Sequence, residues 1–456
     1  MGGLKMTKIT IDKNQTVGKI KPMHAVGQPP FVGGSASIDF SPMQILTDAN
    51  IPYSRLHDVW GAFGGGKFVD IPNIFRDFDA DENDPASYDF TFTDALIRAL
   101  YDYGVKPYYR LGVTIENQGF IKAYHIYPPK DYAKWARICE HIIRHYNEGW
   151  ADGFYYGIEY WEIWNEPENR EVLEFNQMWR GTKEEFFELY DVAAKHLKAC
   201  FGDKIKIGGY AACGFYGVFG NPEKYGMDVE RRKGDRYNCP REDYRMQFLF
   251  DFFEYIKAHG SPIDFFSWHT YGMVDVVSVE SAFLDKVLKQ YGLEHIETHL
   301  NEWNLSHDRR INNANSFASS QVTAMMCEMQ HRSTDMLMYY DARYVNPGAY
   351  GGFYDVATCA PSCVYYAFKA FGELYAKGAE LKCEWENDKI FALAAGDKDD
   401  TILLITNTGE DDKIETDLTS DYTVYLIDHD NLYVETDKNP VRFNLAKNQT
   451  AIVKKG

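Results

Sequence analysis

At 456 residues, with 45 % hydrophobic and 25 % charged side chains, the chain is long enough to bury a large core and is not a disordered polymer. A formal charge of −19, from 48 Lys and Arg against 67 Asp and Glu, argues against nucleic acid and anionic membranes as partners, because phosphate binding needs clustered cations. What remains is a soluble protein acting on a neutral or weakly charged small molecule, with a homo-oligomer allowed.

From about residue 30 to 375 one theme repeats: a short apolar strand, a polar loop, an amphipathic helix. Such alternation implies a parallel sheet with helices outside. The predicted strands lie near 32–38, 51–57, 105–112, 158–165, 204–210, 263–270, 295–302 and 335–341. Eight is the number that closes a (β/α)8 barrel. Leu96, Ile97, Leu100 and Tyr101 make one helical stripe, with Gly104 placed to end it. Thr182 and Glu185 have capping-box spacing ahead of Phe186, Leu189, Tyr190, Ala193 and Leu197. Pro107 falls early in a strand, where it is tolerated. The charged stretch 222–243 reads as a long loop on the catalytic face, a solvated excursion rather than a lid.

After residue 376 the texture changes to IFALAAG, TILLITN, DYTVYLID, NLYVET, VRFNLA and QTAIVKK, short strands broken by Asp, Asn and Gly. These predict a C-terminal antiparallel β-sandwich over 376–456. Residues 1–20, with KITIDKN and VGKIKP, are expected to complete it, leaving 21–375 for the barrel. The eight cysteines show no disulfide framework, and MGGLKMTKITIDKNQ has no apolar leader, so a reduced, cytoplasmic protein is expected. Cys359 and Cys363 lack a second pair, and His141 and His145 lack a third ligand, so no metal site is predicted. No phosphate loop or dinucleotide fingerprint is present, and no cofactor is expected.

Two segments carry chemistry. In Tyr160-Trp161-Glu162-Ile163-Trp164-Asn165-Glu166-Pro167-Glu168 an apolar strand runs into Asn165-Glu166 and is stopped by Pro167. In His299-Leu300-Asn301-Glu302-Trp303-Asn304 a strand again delivers a glutamate as it ends. They fall on predicted strands four and seven, across one barrel mouth. Two carboxyl groups flanking one bond are what glycoside hydrolysis needs: one protonates the leaving oxygen, the other attacks the anomeric carbon. Glu162, inside its strand, and Glu168, beyond the proline, are expected to be structural.

These segments resemble clan A glycoside hydrolases, where Asn-Glu-Pro ends strand four and a second Glu ends strand seven. The likeness is greatest to glycoside hydrolase family 39, the family of β-xylosidases and α-L-iduronidases. WEIWNEPEN, FFSWHTYG, THLNEWN and GGFYD followed by PSCVYYAFKAF carry it. The resemblance implies Glu166 as acid/base, Glu302 as nucleophile, and Asn165 on the sugar 2-hydroxyl. It implies that His269 and Tyr271 line the mouth, with Tyr271 orienting Glu302. Arg55 and His57 in YSRLHDVW resemble a pocket-lining pair on strand two, with Arg55 keeping the nucleophile ionised. Tyr340 stands where the family has a platform tryptophan.

Two departures bear on the sugar. The segment from Tyr340 to Asn346 lacks the adjacent acidic pair of the family's β-xylosidases, and Arg110 stands where a glutamate is usual. Arg110 and Arg343 would suit a different or acidic glycone. The expected activity is a retaining, exo-acting glycosidase on short plant-type oligosaccharides, β-xylosidase-like by default. The alternatives are another glycone (arabinoside, galactoside or uronide) and a catalytically silent sugar-binding barrel.

Overall fold

The computed structural model describes residues 5–33, 37–59, 69–115, 125–306, 308, 311, 314–345 and 350–456. Eight strands close into a parallel barrel. They are β1 (Ala25–Gly27), β2 (Tyr53–Leu56), β3 (Lys106–Leu111), β4 (Tyr160–Ile163), β5 (Lys206–Ala212), β6 (Phe265–Tyr271), β7 (Glu297–Asn304) and β8 (Met336–Tyr339). Each pairs with the next, and β8 returns to β1 through Met338–Ala25 and Tyr339–Val26. Parallel neighbours require long crossovers, and amphipathic helices supply most of them.

Seven strands lie within a few residues of their predicted places. The first does not. The segment predicted at 32–38 contains Val32–Gly33, which pairs antiparallel with Ile38–Asp39 in a small exposed ribbon, and residues 34–36 lie outside the described residues. The strand that closes the barrel is the three-residue Ala-Val-Gly upstream, buried throughout. So short a run between Pro22 and Pro29 carries no periodicity to detect. Trp60 of YSRLHDVW and Asn346 also lie outside the described residues.

The helical signals act as their chemistry dictates. Thr182 and Glu185 form the reciprocal capping box of Lys183–Phe201, whose Phe186, Leu189, Tyr190, Ala193 and Leu197 are buried. Thr91–Asp102 buries Leu96, Ile97 and Leu100, and the chain leaves it through Gly104 at φ 75°. The 222–243 stretch is more anchored than a solvated excursion. Arg232 pairs with Asp275 at 2.6 Å, Arg236 donates to the Tyr271 carbonyl, and from Pro240 the chain is already helical.

Outside the barrel, nine strands form one sheet. The N-terminal strand Lys5–Lys19 runs antiparallel to Ala379–Glu384 and parallel to Asp412–Thr416, the only parallel pairing in that sheet. Ile9, Ile414 and Phe443 from one end share a core with Leu403, Val424 and Val453 from the other, so the sheet folds over itself as a sandwich. It is tied to the barrel helices by Gln330 donating to the Lys19 carbonyl at 2.9 Å and by the Lys454–Glu373 pair at 2.6 Å. No helix among the described residues is long and apolar enough to cross a membrane.

Candidate active site

Consecutive residues of a regular strand point to opposite faces. Where β4 ends, Trp164 and Glu166 both adopt positive φ, 70° and 45°, so the alternation breaks. Such backbone costs about 1–3 kcal/mol per residue and persists where packing enforces it. Trp164 is buried and donates Nε1–H to the Met178 carbonyl at 2.9 Å. Gly112 at the end of β3 makes room: a Cβ there would lie 3.3 Å from the Trp164 Cα.

The result is a small network at the C-terminal ends of the strands. Asn169 donates to Glu166 Oε2 at 2.9 Å, and His269 Nδ1 lies 2.8 Å from Glu166 Oε1. The same Nδ1 is 3.6 Å from Glu302 Oε2. Tyr271 donates its hydroxyl to Glu302 Oε1 at 2.5 Å. Arg55 spends all three nitrogens: Nε to Glu162 at 2.8 Å, Nη1 to Glu302 at 3.3 Å and Nη2 to Asn165 Oδ1 at 2.5 Å. His57 faces Asp58 at 3.2 Å, and Tyr340 donates to Asp58 at 3.1 Å while accepting from Gln28 at 2.6 Å. All eight residues singled out from the sequence therefore meet at one mouth. The rings of Tyr271, Tyr350 and Tyr340 follow one another at 5.1 and 5.0 Å and form an aromatic wall.

Burial works to raise the Glu166 carboxyl, yet His269, with Arg245 and Asn169, outweighs it and brings the group down to about 2. Glu302 is raised, by burial first and by the charge of Glu166, against the pull of His269, Arg55 and Tyr271. Burial would lower His269, but the two carboxylates hold it above its ordinary value. A proton donor wants the higher carboxyl value and a nucleophile the lower, so these directions oppose the roles read from the motifs. The three groups titrate together, because His269 Nδ1 lies 2.8 Å from Glu166 and 3.6 Å from Glu302.

Several participants were not singled out from the sequence. Glu162, expected to be structural, anchors Arg55 and accepts Asn301 Nδ2 at 2.5 Å, so its supporting role reaches the site. Gln28 directly follows β1, a strand too short to be read from periodicity. Asp58 directly follows His57, a signal that was available. Glu168 turns away from the network: its Oε1 accepts the Cys213 backbone N–H at 2.6 Å, and burial raises it to about 7.

Two groups among the described residues bring three metal-ligand atoms within 4.8 Å of one another. One is Glu166, His269 and Glu302 itself. The other, Glu140, His196 and Cys200, lies on outer helices, and Arg144 already engages Glu140 at 2.8 Å. His141 and His145 diverge: His141 bonds the Arg137 carbonyl, and His145 bonds Asp94 and the Trp150 carbonyl. All eight cysteines are free.

The model for glycosyl hydrolases family 39 matches residues 7–301, ending one residue before Glu302. A beta-xylosidase from Geobacillus stearothermophilus is 26 % identical over 220 residues, 46 % of this chain and 35 % of that protein. A beta-xylosidase from Caldicellulosiruptor saccharolyticus is 28 % identical over 219 residues, 45 % of this chain and 41 % of that protein. The matches thus span well under half the length of either relative. A glucosidase from Croceicoccus marinus superposes with a TM-score of 0.75 at 18 % identity, covering 99 % of both chains. A monomeric beta-xylosidase from Caulobacter crescentus does so with 0.67 at 15 %, again over 99 % of both. At these identities the solved structures speak for the shared fold.

Proposed function

The chain belongs to glycosyl hydrolases family 39, and on that premise we propose that it hydrolyses glycosidic bonds with retention, Glu302 acting as nucleophile and Glu166 as acid/base. The observation that carries this reading is the spacing of the two carboxylates. Oxygens of Glu166 and Glu302 lie within 4.8 Å of one another, close to the ~5–5.5 Å of retaining pairs and short of the ~6.5–9.5 Å that leaves room for an inverting water.

In the first step a Glu302 oxygen forms a bond to the anomeric carbon as the aglycone oxygen departs with the proton from Glu166. In the second, water attacks that carbon, its proton passes to Glu166, and the Glu302 carboxylate is released. Tyr271 and Arg55 hold Glu302 in place for attack. With its Oδ1 taken by Arg55, Asn165 is left to donate its Nδ2 hydrogens to the 2-hydroxyl. His57, Asp58 and the aromatic wall line the glycone pocket.

The default substrate is a terminal β-xyloside of a short oligosaccharide, in keeping with the relatives named beta-xylosidase. Another neutral glycone, an arabinoside or galactoside, is the second reading. A uronide is disfavoured, because both arginines that suggested it are already neutralised. Arg110 pairs with Asp70 at 2.7 Å and Arg343 with Asp341 at 2.5 Å.

The test is a panel of aryl β-xyloside, α-L-arabinoside, β-galactoside, β-glucoside and α-L-iduronide offered to wild type, Glu302→Ala and Glu166→Gln. Wild-type release of one aryl alcohol identifies the glycone. Azide should rescue Glu302→Ala with an inverted glycosyl azide. Undiminished cleavage by Glu302→Ala would overturn the assignment.

A further inference from the structure

Glu162 stands inside β4, fully buried, four residues before Glu166. Its Oε2 accepts Arg55 Nε at 2.8 Å and its Oε1 accepts Asn301 Nδ2 at 2.5 Å. Arg55 is itself almost fully buried, so one guanidinium faces two carboxylates, Glu162 at 2.8 Å and Glu302 at 3.3 Å. Burial opposes the charge on Arg55, and these two carboxylates raise its pKa nonetheless.

The two counter-ions differ in one respect. In the retaining reaction proposed above, on which this inference rests, Glu302 loses its charge when its oxygen bonds to the anomeric carbon. Glu162 touches no reacting atom and keeps its charge. With Glu302 as its only partner, Arg55 would become an unpaired buried cation in the covalent intermediate, the costly state for a buried ion. We propose that Glu162 is the standing counter-ion of Arg55, a positioning residue that keeps the guanidinium neutralised while Glu302 is esterified. Sharing Arg55 also leaves the contact to Glu302 the longer of the two, so the nucleophile is oriented without being fully paired.

This differs from a merely structural brace in what it does to the two chemical steps. Without the Glu162 charge, Arg55 would pair wholly with Glu302, stabilising the free carboxylate and destabilising the ester. Bond formation to Glu302 slows and breakdown of the ester does not. The acid limb of kcat/KM, set by Glu302 in the field of Arg55, Glu162, Glu166, His269 and Tyr271, moves to lower pH because a neighbouring negative charge is gone.

The experiment measures both steps in Glu162→Gln with the aryl glycoside that the wild type cleaves, by pre-steady-state burst and by the lifetime of the adduct trapped with its 2-fluoro glycoside. The expected result is glycosylation slowed at least about tenfold, a diminished burst, and an adduct that breaks down as fast as wild type or faster. Glu162→Asp, which keeps the charge, should restore the wild-type ratio of the two rates. Equal slowing of both steps, or wild-type rates for both, overturns the inference while leaving the hydrolase reading intact. Absence of an adduct on the wild type overturns that reading and this inference with it. If Glu162→Gln does not fold, Glu162→Gln/Arg55→Met is compared with Arg55→Met. An unchanged ratio supports the proposal, and a further shift overturns it.

Discussion

Tyr271 donates its hydroxyl to Glu302 Oε1 at 2.5 Å from two residues beyond His269, so one face of β6 serves both carboxylates. Hydrogen bonds to charged groups contribute about 1.5–3 kcal/mol, which corresponds to roughly 10–100-fold in rate if the bond is lost in the transition state. Tyr271→Phe is therefore expected to lower kcat/KM by that factor, with the melting temperature nearly unchanged because the ring packing is kept. Steady-state kinetics on the preferred aryl glycoside checks this, and a loss smaller than twofold would remove Tyr271 from the orientation of Glu302.

A Cβ added at Gly112 would lie 3.3 Å from the Trp164 Cα, and the glycine's φ of 148° is one that side chains disfavour. Gly112→Ala pushes on the residue whose conformation turns Asn165 and Glu166 into the mouth. The expected effect is about 1–3 kcal/mol of lost stability and a fall of about tenfold or more in kcat/KM, because displacements of an ångström in positioned groups are costly. Gly104→Ala serves as control: its φ is also positive, but nothing lies within 4 Å of its added Cβ. It should lose stability and keep kcat/KM.

The parts legible in the sequence are those where one local rule dominates. Asn165-Glu166-Pro167 is readable because a proline ends an apolar strand, and Glu302 because its own strand ends with it. The capping box at Thr182 is local by construction. β1 was not readable, since Ala25–Gly27 is too short for a period and is defined only by pairing with β8 and β2. The β4 carboxylates show the same limit from the other side. Glu162 and Glu168 bracket Glu166 in one motif, yet Glu162 joins the network and Glu168 leaves it. What separates them is Arg55, 107 residues away from Glu162, and the backbone reversal at Trp164 and Glu166.

Asp70 and Arg110 form a buried pair at 2.7 Å, and Asp70 also accepts the Thr114 backbone N–H at 2.8 Å and its hydroxyl at 3.0 Å. Removing one member of such a pair costs about 3–5 kcal/mol, whereas replacing both costs far less. Asp70→Asn should lower the melting temperature markedly, and Asp70→Asn/Arg110→Leu should recover part of the loss. Because Arg110 is neutralised within the fold, the double variant, which lacks both charges, should keep the wild-type preference between α-L-iduronide and β-xyloside. A changed preference would make Arg110 a glycone-recognising residue.

Glu280 is buried behind β5 and β6, accepts the Phe215 backbone N–H at 3.0 Å, and is raised to about 8, first by burial. An unfolded glutamate titrates near 4.3. Between those values the folded chain keeps a proton that the unfolded chain has lost, so the group's ionisation favours the unfolded state increasingly as pH rises through this window. Above pH 8 the folded protein carries a buried carboxylate and the full penalty is present. Glu280→Gln keeps the acceptor for Phe215 and cannot ionise. The variant should match or fall slightly below wild type at pH 5 and exceed it at pH 9 by on the order of 2 °C or more in melting temperature. Thermal unfolding at the two pH values decides this. An equal offset at both would mean that Glu280 is ionised and satisfied in the fold, held by more than the Phe215 amide.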